Sequence, residues 1–108
     1  MSELGSNLSI LLSRELATFE RELALFPDDE SVWKTAPGMA NSAGNLALHV
    51  AGNLQHFVGA VLGGTGYVRN REREFGRRSG PRSEIVVELQ AAARAVRDIV
   101  PGLSEERF

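Results

Sequence analysis

His49 and His56 are the two imidazoles of a 108-residue chain, and they stand seven residues apart in an apolar stretch. Histidine is the commonest nitrogen ligand of protein-bound metals, and a catalytic centre of the zinc type takes about three protein ligands, leaving one position for water or substrate. Two imidazoles do not complete such a centre. At about 1.5 Å rise per residue the rings sit ~10 Å apart along a helix axis, so at most one serves any mononuclear site. On a helical wheel His49 and His56 lie about 20° apart, and Asn53, about 40° from His49, places all three on one flank of the apolar arc. Two plainer readings compete with ligation. Each histidine could be a partly buried polar group hydrogen-bonded to a facing helix, or both could meet at the seam of a two-fold dimer.

Other chemistry is thinner. Cysteine is absent, which removes thiolate ligands, cysteine nucleophiles and disulfides together. Six arginines, Arg69, Arg71, Arg73, Arg77, Arg78 and Arg82, face two glutamates, Glu72 and Glu74, within one short segment. Such a patch suits phosphate or carboxylate, yet the simpler expectation is pairing with the protein's own acids or solvation. Tyr67 and Phe75 alone flank it, too few aromatics for stacking on single-stranded nucleic acid. Gly63-Gly64-Thr65-Gly66 lacks both the lysine and the preceding strand of a phosphate cradle and reads as a helix stop.

Three amphipathic helices are expected to position these groups. Leu8, Leu12, Leu16, Phe19, Leu23 and Phe26 recur at threes and fours up to Pro27, and Asp28 to Trp33 forms a short turn. Asn41 or Ser42 then caps a second helix that runs to Gly63-Gly64, with Leu46, Val50, Leu54, Phe57, Val58, Val61 and Leu62 as its apolar arc. Thr65 to Arg82 shows no periodicity and reads as a long surface loop. Ser83 caps a third helix with Ile85, Leu89, Ala92, Ala93, Val96, Ile99 and Val100 inward, stopped at Pro101-Gly102. Trp33 is expected to cover one end of the bundle or to stand as an exposed lid. The class is all-α, an antiparallel helical bundle of one domain over residues 1–108.

Bulk properties agree with one soluble core. Hydrophobic residues make up 43% and charged residues 24% of the chain, and the formal net charge of −2 offers no general attraction to nucleic acid or anionic membranes. The N-terminus lacks a secretory pattern and no run approaches the ~20 apolar residues of a membrane span, so a cytoplasmic location is expected.

Trp33-Lys34-Thr35-Ala36-Pro37-Gly38, Asn41-Ser42, Gly44-Asn45-Leu46, Leu48-His49, Gly52-Asn53, Gly66-Tyr67-Val68-Arg69-Asn70-Arg71 and Glu74-Phe75 together give the chain a recognisable vocabulary. It resembles the DinB superfamily of metal-dependent bundle proteins, most specifically from Trp33 to Phe75 and more loosely over most of the chain. The resemblance implies a four-helix bundle, commonly dimeric, that binds a divalent metal through one histidine on its second helix and a His-x3-His pair on its fourth. His49 takes the second-helix position. The His-x3-His pair has no counterpart here, and His56 matches no ligand, so it belongs to the pocket wall, with Asn53, Arg69 and Arg71, or to the bundle surface.

Zinc, nickel, iron and manganese are equally compatible with the implied site. The implied activity is metal-dependent, thiol-linked transfer or hydrolysis of an unidentified small molecule, with no catalytic residue assigned. Leu103 to Phe108, where Ser104 precedes Glu105 and Glu106, resembles the opening of a fourth helix. The expectation is therefore a chain that holds three helices of four, with the missing ligands beyond Phe108, that does not retain the metal and is inactive alone. The rival expectation is a metal-free helical module that dimerises or binds a partner helix.

Overall fold

A computed structural model describes residues 3–104 of the chain. Among them every regular element is helical. The order is α1 (Glu3–Ala24), α2 (Asp29–Val32), α3 (Ala43–Leu54) running on as a π-helix (Gln55–Leu62), α4 (Arg71–Gly76) and α5 (Arg82–Ile99), followed by a 3-10 turn (Val100–Gly102). No helix among the described residues is long and apolar enough to cross a membrane. Of the expected opening of a further helix, Leu103 and Ser104 are described and belong to no regular element, and 105–108 lie outside the described residues.

The central element is α5. Its stripe of Ile85, Leu89, Ala92, Val96 and Val100 is buried, and it packs against both α1 and α3. Each fully buried Ile, Leu or Val of this stripe contributes about 1.5–3 kcal/mol of transfer free energy. The two outer helices, α1 and α3, touch each other little, which leaves a seam between them half open. Leu16 and Leu23 of α1 are buried, Leu8, Leu12 and Phe19 of the same stripe are partly covered, and Phe26, also partly covered, lies past the end of the helix at Ala24.

The second helix buries only part of the arc its large residues suggest: Val58 is buried and Val50 and Leu54 pack against the core. Its covered positions are Gly44, Ala47, Leu48, Ala51, Gly52, Val58 and Gly59. Leu46, Phe57 and Val61, expected inward, are exposed, at 38%, 51% and 59%. Small residues let helix axes approach closely, and this close approach outcompetes burial of the bulkier arc. The π-helix also breaks the constant angular step, so wheel positions beyond Leu54 do not carry over from those before it.

Two boundaries differ from expectation. Thr65 to Arg82 is not one continuous loop, because α4 forms inside it. Asn70 caps that helix by accepting a hydrogen bond from Arg73 N at 3.0 Å, and Glu72 and Glu74 stand in its first turn, where acids are favoured. Ser83 does not cap the last helix. Pro81 stands at that position with φ −69°, and Gly80, at φ +127°, makes the turn into it, so α5 already begins at Arg82.

Other expectations hold. Ser42 caps α3, its Oγ accepting from Asn45 N at 3.1 Å. Gly63 and Gly64 end the second helix, Gly64 at φ +65°. Trp33 is buried at one end, donating from Nε1 to the Gly80 carbonyl at 2.8 Å beneath the Arg77 guanidinium. Arg82 anchors the end of α1 by donating at 2.8 Å to the carbonyl of Leu23, which also accepts from Phe26 N, and at 2.7 Å to that of Phe26.

Candidate functional site

Asn45, one turn into α3, is 1% exposed and ties α4 in place. Its Nδ2 donates to the carbonyls of Glu74 and Arg77 at 2.9 and 2.8 Å, and its Oδ1 accepts from Ser42 Oγ at 2.8 Å. With α4 fixed in this way, the Glu74 side chain lies over α3 at Gly52. A Cβ at residue 52 would overlap the carboxylate, so glycine is what permits the approach.

Glu74 is 6% exposed and has a complete set of partners. Arg69 grips it with two parallel bonds, Nε to Oε2 at 3.0 Å and Nη2 to Oε1 at 3.0 Å, the bidentate arrangement that suits guanidinium and carboxylate. His49 completes a triangle. Its Nδ1 is 3.3 Å from Glu74 Oε1 and 3.1 Å from Arg69 Nη2, and its ring leans against Phe75 at 4.8 Å between centroids. A proton on Nδ1 is donated to Glu74 and leaves Nε2 with a lone pair. A proton on Nε2 instead lets Nδ1 accept from Arg69. The same ring can thus present either a base or a donor at Nε2, which has no protein partner among the described residues.

Two hollows flank this triangle. The smaller, about 260 Å³, follows the half-open seam between α1 and α3 and is lined by Leu12, Glu15, Leu16, His49, Asn53 and Leu54. The larger, about 350 Å³, lies on the other side, where Leu48, Gly52, Tyr67, Glu74, Val87 and Glu88 contribute to its lining. Burial chiefly, with the charges of Glu88 and Glu74 behind it, pushes the Tyr67 phenol above its ordinary value, against a weaker opposing pull from Arg69.

The sequence candidates separate accordingly. His49 and Asn53 line the same hollow, and Arg69 meets His49 through the buried ion pair. His56 lies in the π-helix, packs edge-on against Phe57 at 4.7 Å and lines neither hollow. Arg71 is exposed on the first turn of α4 and lines neither. Of the remaining arginines, Arg77 pairs with Glu84 at 2.8 Å and Arg82 with Asp29 at 2.8 Å.

Sequence reasoning missed Glu74, Gly52, Asn45 and Glu15 as parts of the site. Glu74 and Gly52 sit 22 residues apart, so nothing in local spacing joins them. A buried acid looks like any acid of a charged segment until its partner is placed. Among the described residues no three of His, Cys, Asp and Glu converge on a point that could hold a metal ion.

No protein-family model, curated protein or solved structure matches the chain.

Proposed function

We propose that the chain is a DinB-like helical-bundle protein that takes part in binding a divalent metal through Nε2 of His49, for thiol-linked transfer to, or hydrolysis of, a small molecule. The observation that supports this reading is the setting of one ring. Nδ1 faces the Glu74 carboxylate, and Nε2 is without a protein partner among the described residues. Histidines that ligate metals usually donate their other N–H to a carboxylate, which fixes the tautomer and strengthens the ligand. With Nε2 engaged, the proton resides on Nδ1 and Glu74 accepts it, while Arg69 keeps its bidentate hold on the same carboxylate.

The residues fit one corner of a coordination shell and not the whole of it. Glu15 and Asn53 share the hollow with His49, yet the described residues fall short of the three ligands a catalytic centre ordinarily takes. Donors from outside them, such as those a second copy would offer across the open seam, are required. Metal analysis of the purified protein after zinc loading and desalting tests the reading. The expected result is stoichiometric metal that is lost in His49→Ala, with affinity weakened about 10–100-fold in Glu74→Gln. Unchanged metal content in His49→Ala would reject the assignment.

A metal-free association module is the second reading, and the outward placement of Leu46, Phe57 and Val61, with Leu4, Ile10 and Leu11 exposed on α1, is what favours it. It expects a stable oligomer whose size-exclusion volume does not respond to chelator.

A further inference from the structure

We infer that the larger cleft is a binding site for a small organic amine, held as its ammonium ion by Glu88. This inference stands apart from the metal reading, since it uses the opposite side of the His49 triangle. Three carboxylates line the cleft, and two of them are already neutralised: Glu74 by Arg69 and Glu84 by Arg77. Glu88 is different. Its partner among the described residues is the neutral amide of Gln55, whose Nε2 donates to Oε2 at 2.8 Å, so a half-buried negative charge faces the cleft without a cation.

The remaining walls decide what kind of cation fits. Leu48, Val68, Val87 and the ring of Tyr67 give the cleft an aliphatic and aromatic lining, and its volume of about 350 Å³ is at the small end of ligand pockets. A hard divalent ion needs six or more oxygens, and with Glu74 and Glu84 held by arginines the cleft offers only the Glu88 carboxylate free of a cation. An ammonium group needs one strong acceptor and carries an alkyl body that the walls can cover. Arg73 also lines the cleft, but it is exposed, and water screens its charge. The raised Tyr67 phenol is consistent with the negative potential that Glu88 contributes there.

Titration of the full chain with n-butylammonium, n-butanol and butyrate at matched ionic strength tests the inference, read by NMR shifts of the Tyr67 ring and the Leu48 and Val87 methyls. Saturable shifts with butylammonium are expected, at least about tenfold stronger than with butanol or butyrate, because a hydrogen bond to a charged group supplies a difference of that order. Glu88→Gln should weaken butylammonium binding about tenfold. Val87→Lys, at a position 61% exposed, serves as a second variant that brings an ammonium into the cleft itself and should also abolish the shifts. Equal binding of butanol or butyrate, butylammonium binding undiminished in Glu88→Gln, or no saturable shift at these residues would each overturn the assignment.

Discussion

Replacing Gly52 by alanine sets two opposing effects against each other at one atom. In an unobstructed helix interior the change stabilises by about 0.5–1 kcal/mol, because alanine loses less conformational freedom on folding. Here the new methyl would occupy the position of the Glu74 carboxylate, which can move aside only by giving up its bonds to Arg69 and His49. The Arg69–Glu74 pair is 10% and 7% exposed at its side chains, and breaking a buried pair costs about 3–5 kcal/mol. Gly52→Ala is therefore expected to lose about 2–4 kcal/mol net. For a domain with a urea m-value of about 2 kcal/mol/M, that lowers the unfolding midpoint by roughly 1–2 M.

The same substitution made in an Arg69→Met, Glu74→Ala background, where no carboxylate is in the way, should reverse sign and stabilise by about 0.5–1 kcal/mol. Urea unfolding followed by the fluorescence of Trp33, the sole tryptophan, measures all four corners of the cycle. A single Gly52→Ala variant as stable as the parent would refute the packing of Glu74 on α3, and with it the orientation ascribed to His49.

Asn45→Ala removes both donors from the buried carbonyls of Glu74 and Arg77 and should cost roughly 2–4 kcal/mol, with faster amide hydrogen exchange concentrated in α4. Arg82→Ala takes away the cap on Leu23 and Phe26 and should lose about 1–2 kcal/mol in the same denaturation assay. Tyr67 is the sole tyrosine, so phenolate absorbance reports it directly. Its folded value lies above the reference of 10.0, so its contribution to stability is complete below about that pH and is lost as pH rises through the folded value. In Glu88→Gln the absorbance midpoint should move down toward 10.0, and a midpoint that stays put would show that Glu88 does not face the phenol.

Elements whose signals are local were legible in the chain itself. The threes and fours of α1 and α5, the Ser42 cap and the Gly63-Gly64 stop each depend on residues within a turn or two of one another, and the structure has them where the pattern placed them. The second helix shows the limit. Its bulky arc of Leu46, Val50, Leu54, Phe57, Val58, Val61 and Leu62 suggested one buried face, yet Val58 alone of these is fully buried, because the choice between bulky and small residues belongs to the neighbouring helices. Only the docking of α5 and α4 decided that Gly44, Ala47, Leu48, Ala51 and Gly52 turn inward.

The candidate site divides in the same way. Residue types and spacing alone implied an all-helical chain with one histidine, His49, beside an apolar stripe, and a segment dense in arginine and glutamate. They could not show that Glu74, counted as one more charge in that segment, is buried and held by Arg69, because desolvation depends on which surfaces close over a group rather than on its neighbours in the chain. Tertiary structure alone brought Glu74 across 25 residues to Nδ1 of His49, through a notch at Gly52 and a tether at Asn45. A side chain's type is written locally, whereas its protonation partner and its exposure are properties of the packed whole.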